Sequence, residues 1–261
     1  MKIIATAGKG GTGKTTILAA LLSSQQFTAG FRVLVVDADP HQCLTTLLAQ
    51  AHNLKPAPSL GELRRENDAF LRFGEGAENI SRSDLAARLV ERALTPLPFG
   101  HLLTMGASEQ PGCQCVVNGL LGQALDALAG RYDLVVVDNE AGIEPIGRHA
   151  WRVDCLLLTA TSRPLDMDVA LRILDHARAV GRDLCRVVMV LNHFRSDAPS
   201  PLTMLNGRLN RDIHLVAALP EASSPPEHDA EWQAAVQRLG YACRSLLEVR
   251  CACNGVTFAA S

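Results

Sequence analysis

The stretch Ala7-Gly8-Lys9-Gly10-Gly11-Thr12-Gly13-Lys14-Thr15-Thr16 decides the fold. Lys2-Ile3-Ile4-Ala5-Thr6 before it reads as a first strand, and Ile17-Leu18-Ala19-Ala20-Leu21-Leu22 after it reads as a helix. Gly8 to Thr15 fits the pattern G-x-x-x-x-G-K-[ST], in the strand–loop–helix context that gives the pattern its meaning. Glycines let backbone N–H groups converge on phosphate oxygens, and the following helix adds the positive end of its dipole. The pattern predicts a nucleotide site built from Gly8, Lys9, Gly10, Gly11, Thr12, Gly13, Lys14, Thr15 and Thr16. Lys14 is expected on the β- and γ-phosphates and the Thr15 hydroxyl on Mg²⁺.

Working outward, apolar runs at 31–37, 101–106, 132–138, 153–160, 184–191 and 213–219 read as further strands. Continuous apolar strands suit a parallel sheet covered on both faces. Helices are expected at 59–70 and 83–94, each opened by a serine cap, and at 116–129, 166–180 and 231–249. The expected architecture is α/β: a three-layer phosphate-loop NTPase fold, its sheet mostly parallel with helices on both faces. One domain spans 1–261, with a helical insertion at about 50–100 and a cysteine-containing tail at about 250–261.

Three acids fall at strand ends. Asp37-Ala38-Asp39-Pro40 closes the second strand, at the sheet edge where open α/β folds bind ligands. Alternation along an extended segment puts Asp37 and Asp39 on one side, which suits Mg²⁺ and an attacking water; the alternative is a turn and helix cap. Asp138 ends Tyr132-Asp133-Leu134-Val135-Val136-Val137 in a Walker B pattern and is expected on Mg²⁺, directly or through water. Asn139-Glu140-Ala141-Gly142-Ile143-Glu144 follows, with Gly142 placed to bring its N–H to the γ-phosphate.

The formal net charge of −2 and an aromatic content of 4% offer neither a basic patch nor stacking platforms for nucleic acid. No apolar run approaches the ~18 residues of a membrane span, and the start of the chain enters a strand at once. The expectation is a cytoplasmic protein, without nucleic-acid or membrane partners, whose 8 cysteines stay reduced. Cys113-Gln114-Cys115 heads the helix at 116–129, and two thiolates leave a tetrahedral metal half-filled. A dimer would supply four; packing cysteines or a redox pair are the alternatives. Cys251 and Cys253 form a second such pair, which with Cys243 is either an auxiliary metal site or incidental.

The run K-G-G-x-G-K-[ST] at Lys9 to Thr15 resembles the deviant phosphate-loop ATPases. The resemblance implies that Lys9 reaches across a homodimer to the nucleotide of the other subunit. It also implies that Asp39 orients the attacking water and that Asp37 joins the Mg²⁺ shell. Asn192, at the end of a strand, would hydrogen-bond adenine beside Pro220 and Glu221; an Asx turn is the alternative. The family usually continues D-A-D-P-x-x-N, and Cys43 stands at the asparagine position, which implies altered nucleotide sensing and slow hydrolysis.

Together with the C-x-C pair, the run D-x-E-A-G-[IM]-E at Asp138 to Glu144 resembles the nickel-inserting accessory ATPases of carbon monoxide dehydrogenase maturation. That resemblance implies nickel or zinc held by Cys113 and Cys115 at the dimer interface, ATP and Mg²⁺ as cofactors, and a client such as carbon monoxide dehydrogenase. Thiolates are soft enough for either metal. Two rivals are a partitioning-type ATPase and an iron-protein-like electron donor. The first predicts a basic patch or amphipathic tail, and the second a switch cysteine that the chain lacks.

Overall fold

The computed structural model describes residues 1–67, 82–106, 128, 130–141, 153–179, 184–195, 213–222 and 226–248. Strands β1 (Lys2–Gly8), β2 (Val33–Asp37), β3 (Leu94–Leu97), β4 (Gly100–Thr104), β5 (Leu134–Asp138), β6 (Cys155–Thr161), β7 (Val187–Phe194) and β8 (Leu215–Pro220) form one sheet. Their order is β3-β4-β2-β5-β1-β6-β7-β8, and every pairing is parallel except β3 with β4. Helices α1 (Lys14–Ser23), α2 (Gln25–Thr28), α3 (Cys43–His52), α4 (Leu60–Glu66), α5 (Arg82–Ala93), α6 (Pro164–Ala179) and α7 (Ala230–Glu248), with a short 3-10 helix at Pro226–His228, complete the described elements.

Side-chain alternation along the strands separates two apolar faces. Ile4, Val33, Val35, Val136, Leu157 and Val188 pack against α1 and α7 through Leu18, Leu21, Leu22, Trp232 and Leu239. On the other face, Ile3, Leu34, Val36, Val135 and Val137 meet Leu60 and Leu63 of α4 and Leu89 and Val90 of α5. Farther along that face, Leu156, Leu158, Met189 and Leu191 meet Ile173 and Leu174 of α6. This is the three-layer α/β arrangement that the apolar strands predicted.

Most element boundaries shift by one to three residues from the sequence expectation. Helix α6 begins at Pro164, whose fixed φ and missing N–H suit a first helical position. Helix α5 starts at Arg82, one residue before the expected start. The short edge strand β3 was missed because its Pro96 reads as a break; on an outer strand the absent N–H leaves no ladder bond unmade. Strand β7 runs past Asn192, with His193 at φ +52° and a register irregularity between Leu191 and Phe194. Asn192 is therefore inside a bulged strand end and does not terminate it.

Leu60, Leu63, Leu89, Val90 and Ala93 share one buried cluster with Leu34, Val36 and Val135 of the sheet. Ser59 opens α4 in a reciprocal capping box: its hydroxyl accepts from the Glu62 N–H at 3.3 Å, and the Glu62 carboxylate accepts from the Ser59 N–H at 2.7 Å. Replacing Ser59 with Ala removes both the cap and a donor to Glu62, so Ser59→Ala should lower unfolding stability by about 1–2 kcal/mol in urea titrations. A change below about 0.3 kcal/mol would show that α4 is held by packing alone.

Candidate nucleotide site

Parallel strands deliver their C-terminal ends to one edge, and every acid predicted for the site arrives there. Asp37 and Asp138 are register partners at the ends of β2 and β5, while β1 passes from Gly8 directly into the loop. Two glycines make that loop possible. At Gly8 (φ +150°) a Cβ would collide with the Thr159 hydroxyl and carbonyl of the neighbouring strand, and at Gly13 (φ +88°) with the Asn192 side-chain nitrogen. Thr12 staples the loop from within: its hydroxyl donates to the Lys9 carbonyl at 2.8 Å and lies 2.7 Å from the Thr159 hydroxyl. Gly13 is the N-cap of α1, and no side chain among the described residues caps that helix. Its first-turn N–H groups and positive dipole end stand ready for an anion.

Lys14 is buried, and that burial lowers its pKa, opposed by the nearby Asp138 and Asp39 carboxylates. Asp138 is fully buried and accepts the Thr15 hydroxyl on one oxygen and the Thr6 hydroxyl on the other, each at 2.8 Å. Burial, first of all, pushes its carboxyl up to about 6, opposed by those hydroxyls. Thr6 in turn accepts the Asn139 N–H at 3.1 Å, and its carbonyl accepts the Asn139 amide at 3.0 Å. Thr6 was not singled out from sequence; a lone hydroxyl in the apolar run Ile3-Ile4-Ala5 was the available signal. A hydroxyl and a carboxylate in contact, both hard oxygen donors, fit Mg²⁺.

Asp37 bonds the start of the next helix. Its carboxylate accepts the Thr45 N–H at 2.8 Å, the Thr45 hydroxyl at 2.7 Å and the Asp39 N–H at 3.2 Å, anchoring the first turn of α3. Burial pushes its pKa up, against these three bonds. Asp39 is half-buried, and its side chain also serves a turn by accepting the His41 N–H at 2.8 Å. It nevertheless lines the open cavity of about 500 Å³ shared by Gly13, Lys14, Thr15 and Cys43. Burial and then Asp39, Asp37 and Asp138 raise the Cys43 thiol, which keeps it protonated beside the acids.

The structure places the remaining expectations unevenly. Asn192 is buried, and its amide donates to the Thr12 carbonyl at 3.2 Å and accepts the Trp232 indole N–H at 3.5 Å. Its amide thus supports the phosphate loop from beneath. Pro220 ends β8, and the Glu221 N–H donates to the Phe194 carbonyl at 3.3 Å. Lys9 forms an ion pair with Asp166 of α6 at 2.7 Å. Gly142, Cys113, Cys115, Cys251 and Cys253 lie outside the described residues. Cys243 is fully buried in the core, and that burial raises its thiol. Among the described residues, no group of three His, Cys, Asp or Glu side chains is arranged to hold a metal ion. Nor is any described helix long and apolar enough to cross a membrane.

A glycine loop on a helix N-terminus, two buried strand-end acids and a mostly parallel sheet define a phosphate-loop nucleotide-binding protein. The model of the CobQ/CobB/MinD/ParA nucleotide binding domain matches residues 3–231, and the chain belongs to that family of ATPases. The chain is 28% identical over 228 residues to an uncharacterised ATP-binding protein of Methanocaldococcus jannaschii, covering 87% of both chains. It is 30% identical over 196 residues to the carbon monoxide dehydrogenase accessory protein CooC of Rhodospirillum rubrum, covering 70% of this chain and 72% of CooC. The fold is similar to that of a chain in the MinC:MinD cell division protein complex of Aquifex aeolicus, with TM-score 0.63, 17% identity, and 96% and 97% of the two chains covered. The septum site-determining protein MinD of Pyrococcus horikoshii, solved with Mg-ADP, gives TM-score 0.58 and 20% identity over 95% and 97% of the chains.

Gly13→Ala would force a left-handed φ on alanine and drive its Cβ into Asn192, so nucleotide affinity should fall at least about tenfold in calorimetric titration while the fold persists. A second expectation concerns pH. Because the Asp138 carboxyl is raised to about 6, the folded apo-protein binds more protons here than the unfolded chain. Its stabilising share is complete below the ordinary carboxylate range and is lost as pH rises through 6. Mg²⁺ needs the ionised form, so Mg-nucleotide affinity should weaken about tenfold between pH 8 and pH 5. Nucleotide titrated without Mg²⁺ should lack that part of the slope.

Proposed function

We propose that the chain is a dimerising maturation ATPase that delivers nickel to carbon monoxide dehydrogenase or a related metalloenzyme. The observation that carries this reading is the 30% identity to CooC over 196 residues, 70% of this chain. The C-x-C pair and the Asp138–Glu144 run add to it, since both are the residues on which the resemblance to nickel-inserting ATPases rests.

In this reading ATP binds with Lys14 on the β- and γ-phosphates, and Thr15 and Asp138 hold Mg²⁺ with Asp37 in its outer shell. Asp39, the half-buried acid on the open cavity, orients the attacking water. Gly142 offers its N–H to the γ-phosphate, and Lys9 reaches the nucleotide of a second copy. The base lies by Asn192, Pro220 and Glu221, where Asn192 must exchange its Thr12 or Trp232 bond for the ring edge. Closing the dimer brings two Cys113/Cys115 pairs together as four thiolates for nickel or zinc. Hydrolysis, slow until a partner or client engages, reopens the dimer and releases the metal. The protein works as a cytoplasmic single-domain switch whose tail cysteines serve no assigned step.

The test measures metal content and sedimentation together, with and without ATP. Wild type should bind about one zinc or nickel per nucleotide-bound dimer, and the Cys113→Ala/Cys115→Ala pair should bind none while still hydrolysing ATP. A double variant that keeps its metal would place the cargo elsewhere. Lys9→Ala should stay monomeric with ATP; normal dimerisation and turnover would remove the proposed role of Lys9.

A further inference from the structure

The loop carries two lysines with opposite circumstances. Lys14 is enclosed at the floor of the cavity, whereas the Lys9 side chain keeps 42% of its surface exposed and leans the other way, onto α6. Its ammonium donates to Asp166 Oδ1 at 2.7 Å, and the Thr161 hydroxyl donates to Asp166 Oδ2 at 2.6 Å. Both carboxylate oxygens of Asp166 are thereby taken by one donor each. Thr161 is itself fixed at the end of β6, where it also accepts the Arg163 N–H at 3.2 Å.

The two partners differ in freedom. Asp166 is 7% exposed in the first turn of α6, where the helix dipole favours an acid, and Thr161 holds its orientation. The Lys9 backbone is tied by the Thr12 hydroxyl to its carbonyl, but four rotatable bonds lie beyond. The acid is the anchor, and the ammonium is the part that can leave. Leu165, next to Asp166 in the first turn of α6, is 62% exposed.

We propose that Asp166, oriented by Thr161, is the resting counter-ion of Lys9 and holds it on its own protomer until the phosphates of a second copy's nucleotide displace the carboxylate. This rests on the reading that Lys9 serves a nucleotide in trans. A triphosphate offers more negative charge and more acceptor oxygens than one carboxylate, so the exchange runs toward the dimer only when that nucleotide is within reach. Asp166 is a positioning residue: it acts through Lys9 and sets how much nucleotide is needed to close the dimer.

The test compares Asp166→Asn, Asp166→Glu and wild type by sedimentation velocity across a titration of a non-hydrolysable ATP analogue, with ADP affinity of the monomer measured beside it. Asp166→Asn keeps the shape and the acceptor oxygen but removes the charge. It should reach half-dimerisation at about fivefold lower analogue concentration, with ADP affinity unchanged, while Asp166→Glu restores the wild-type requirement. An unchanged or higher requirement overturns the proposal, as does a matching loss of ADP affinity, which would make the pair a strut for the loop. If Asp166→Asn fails to fold, Thr161→Val carries the same test, with a smaller shift in the same direction expected and no shift overturning the proposal. Lys9→Ala separates the two ideas: if it dimerises as wild type does, the trans reading itself is wrong; if it stays monomeric while Asp166→Asn behaves as wild type, only the counter-ion role falls.

Discussion

Two fully buried carboxylates, Asp37 and Asp138, stand side by side at the ends of β2 and β5. Removing an ionised carboxylate from water costs several kcal/mol; after burial, Asp37 raises the Asp138 carboxyl further and Asp39 raises that of Asp37. The surrounding structure is arranged to offset that penalty without neutralising the acids. Thr6 and Thr15 bond Asp138, Thr45 bonds Asp37, and Lys14 supplies a charge nearby. The compensation is incomplete, since Asp138 still titrates near 6. An incompletely compensated buried acid beside a hydroxyl is a site whose electrostatics favour a divalent cation. The cost of holding Asp138 in the folded apo-protein is thus coupled to metal-nucleotide binding.

The same bonds link chemistry to movable parts. Asp37 fixes the start of α3 through Thr45, and Thr45 contacts Thr104 of β4 at 2.8 Å, so the Asp39–Cys43 segment is attached to the sheet at its root. Asn192 and Thr12 tie the loop to β7 and, through Trp232, to α7. Lys9 is attached to α6 by Asp166. Helix α6 thus meets the nucleotide loop directly through Lys9, α7 meets it through Asn192, and α3 is fixed to the strand-end acid Asp37. A switch needs contacts of this strength: strong enough to define a resting state and weak enough to be replaced.

Much of this was legible in the chain. A glycine loop between an apolar strand and a helix specifies its own local structure, because few backbones other than this one need φ above zero at Gly13 and a bare Cα at Gly8. The strand-end positions of Asp37 and Asp138 followed from apolar runs of fixed length, and the capping of α4 by Ser59 followed from local chemistry. Less was legible where partners are far apart in sequence. Thr6 and Asp138 are 132 positions apart, Lys9 and Asp166 157, and Thr12 and Asn192 180. No local pattern marks such pairs.

The sequence by itself determined that a nucleotide loop, two strand-end acids and a three-layer sheet would form, because each depends on periodicity and backbone freedom within a few residues. Only the tertiary structure decided how the acids are employed in the apo-protein: Asp37 as an anchor for α3, Asp138 between two hydroxyls. It also decided that Asn192 supports the loop and that Lys9 rests on Asp166. These assignments depend on which strand lies beside which in the order β2-β5-β1-β6-β7. That order arises from crossovers and from packing on both sheet faces, which no single stretch of the chain encodes.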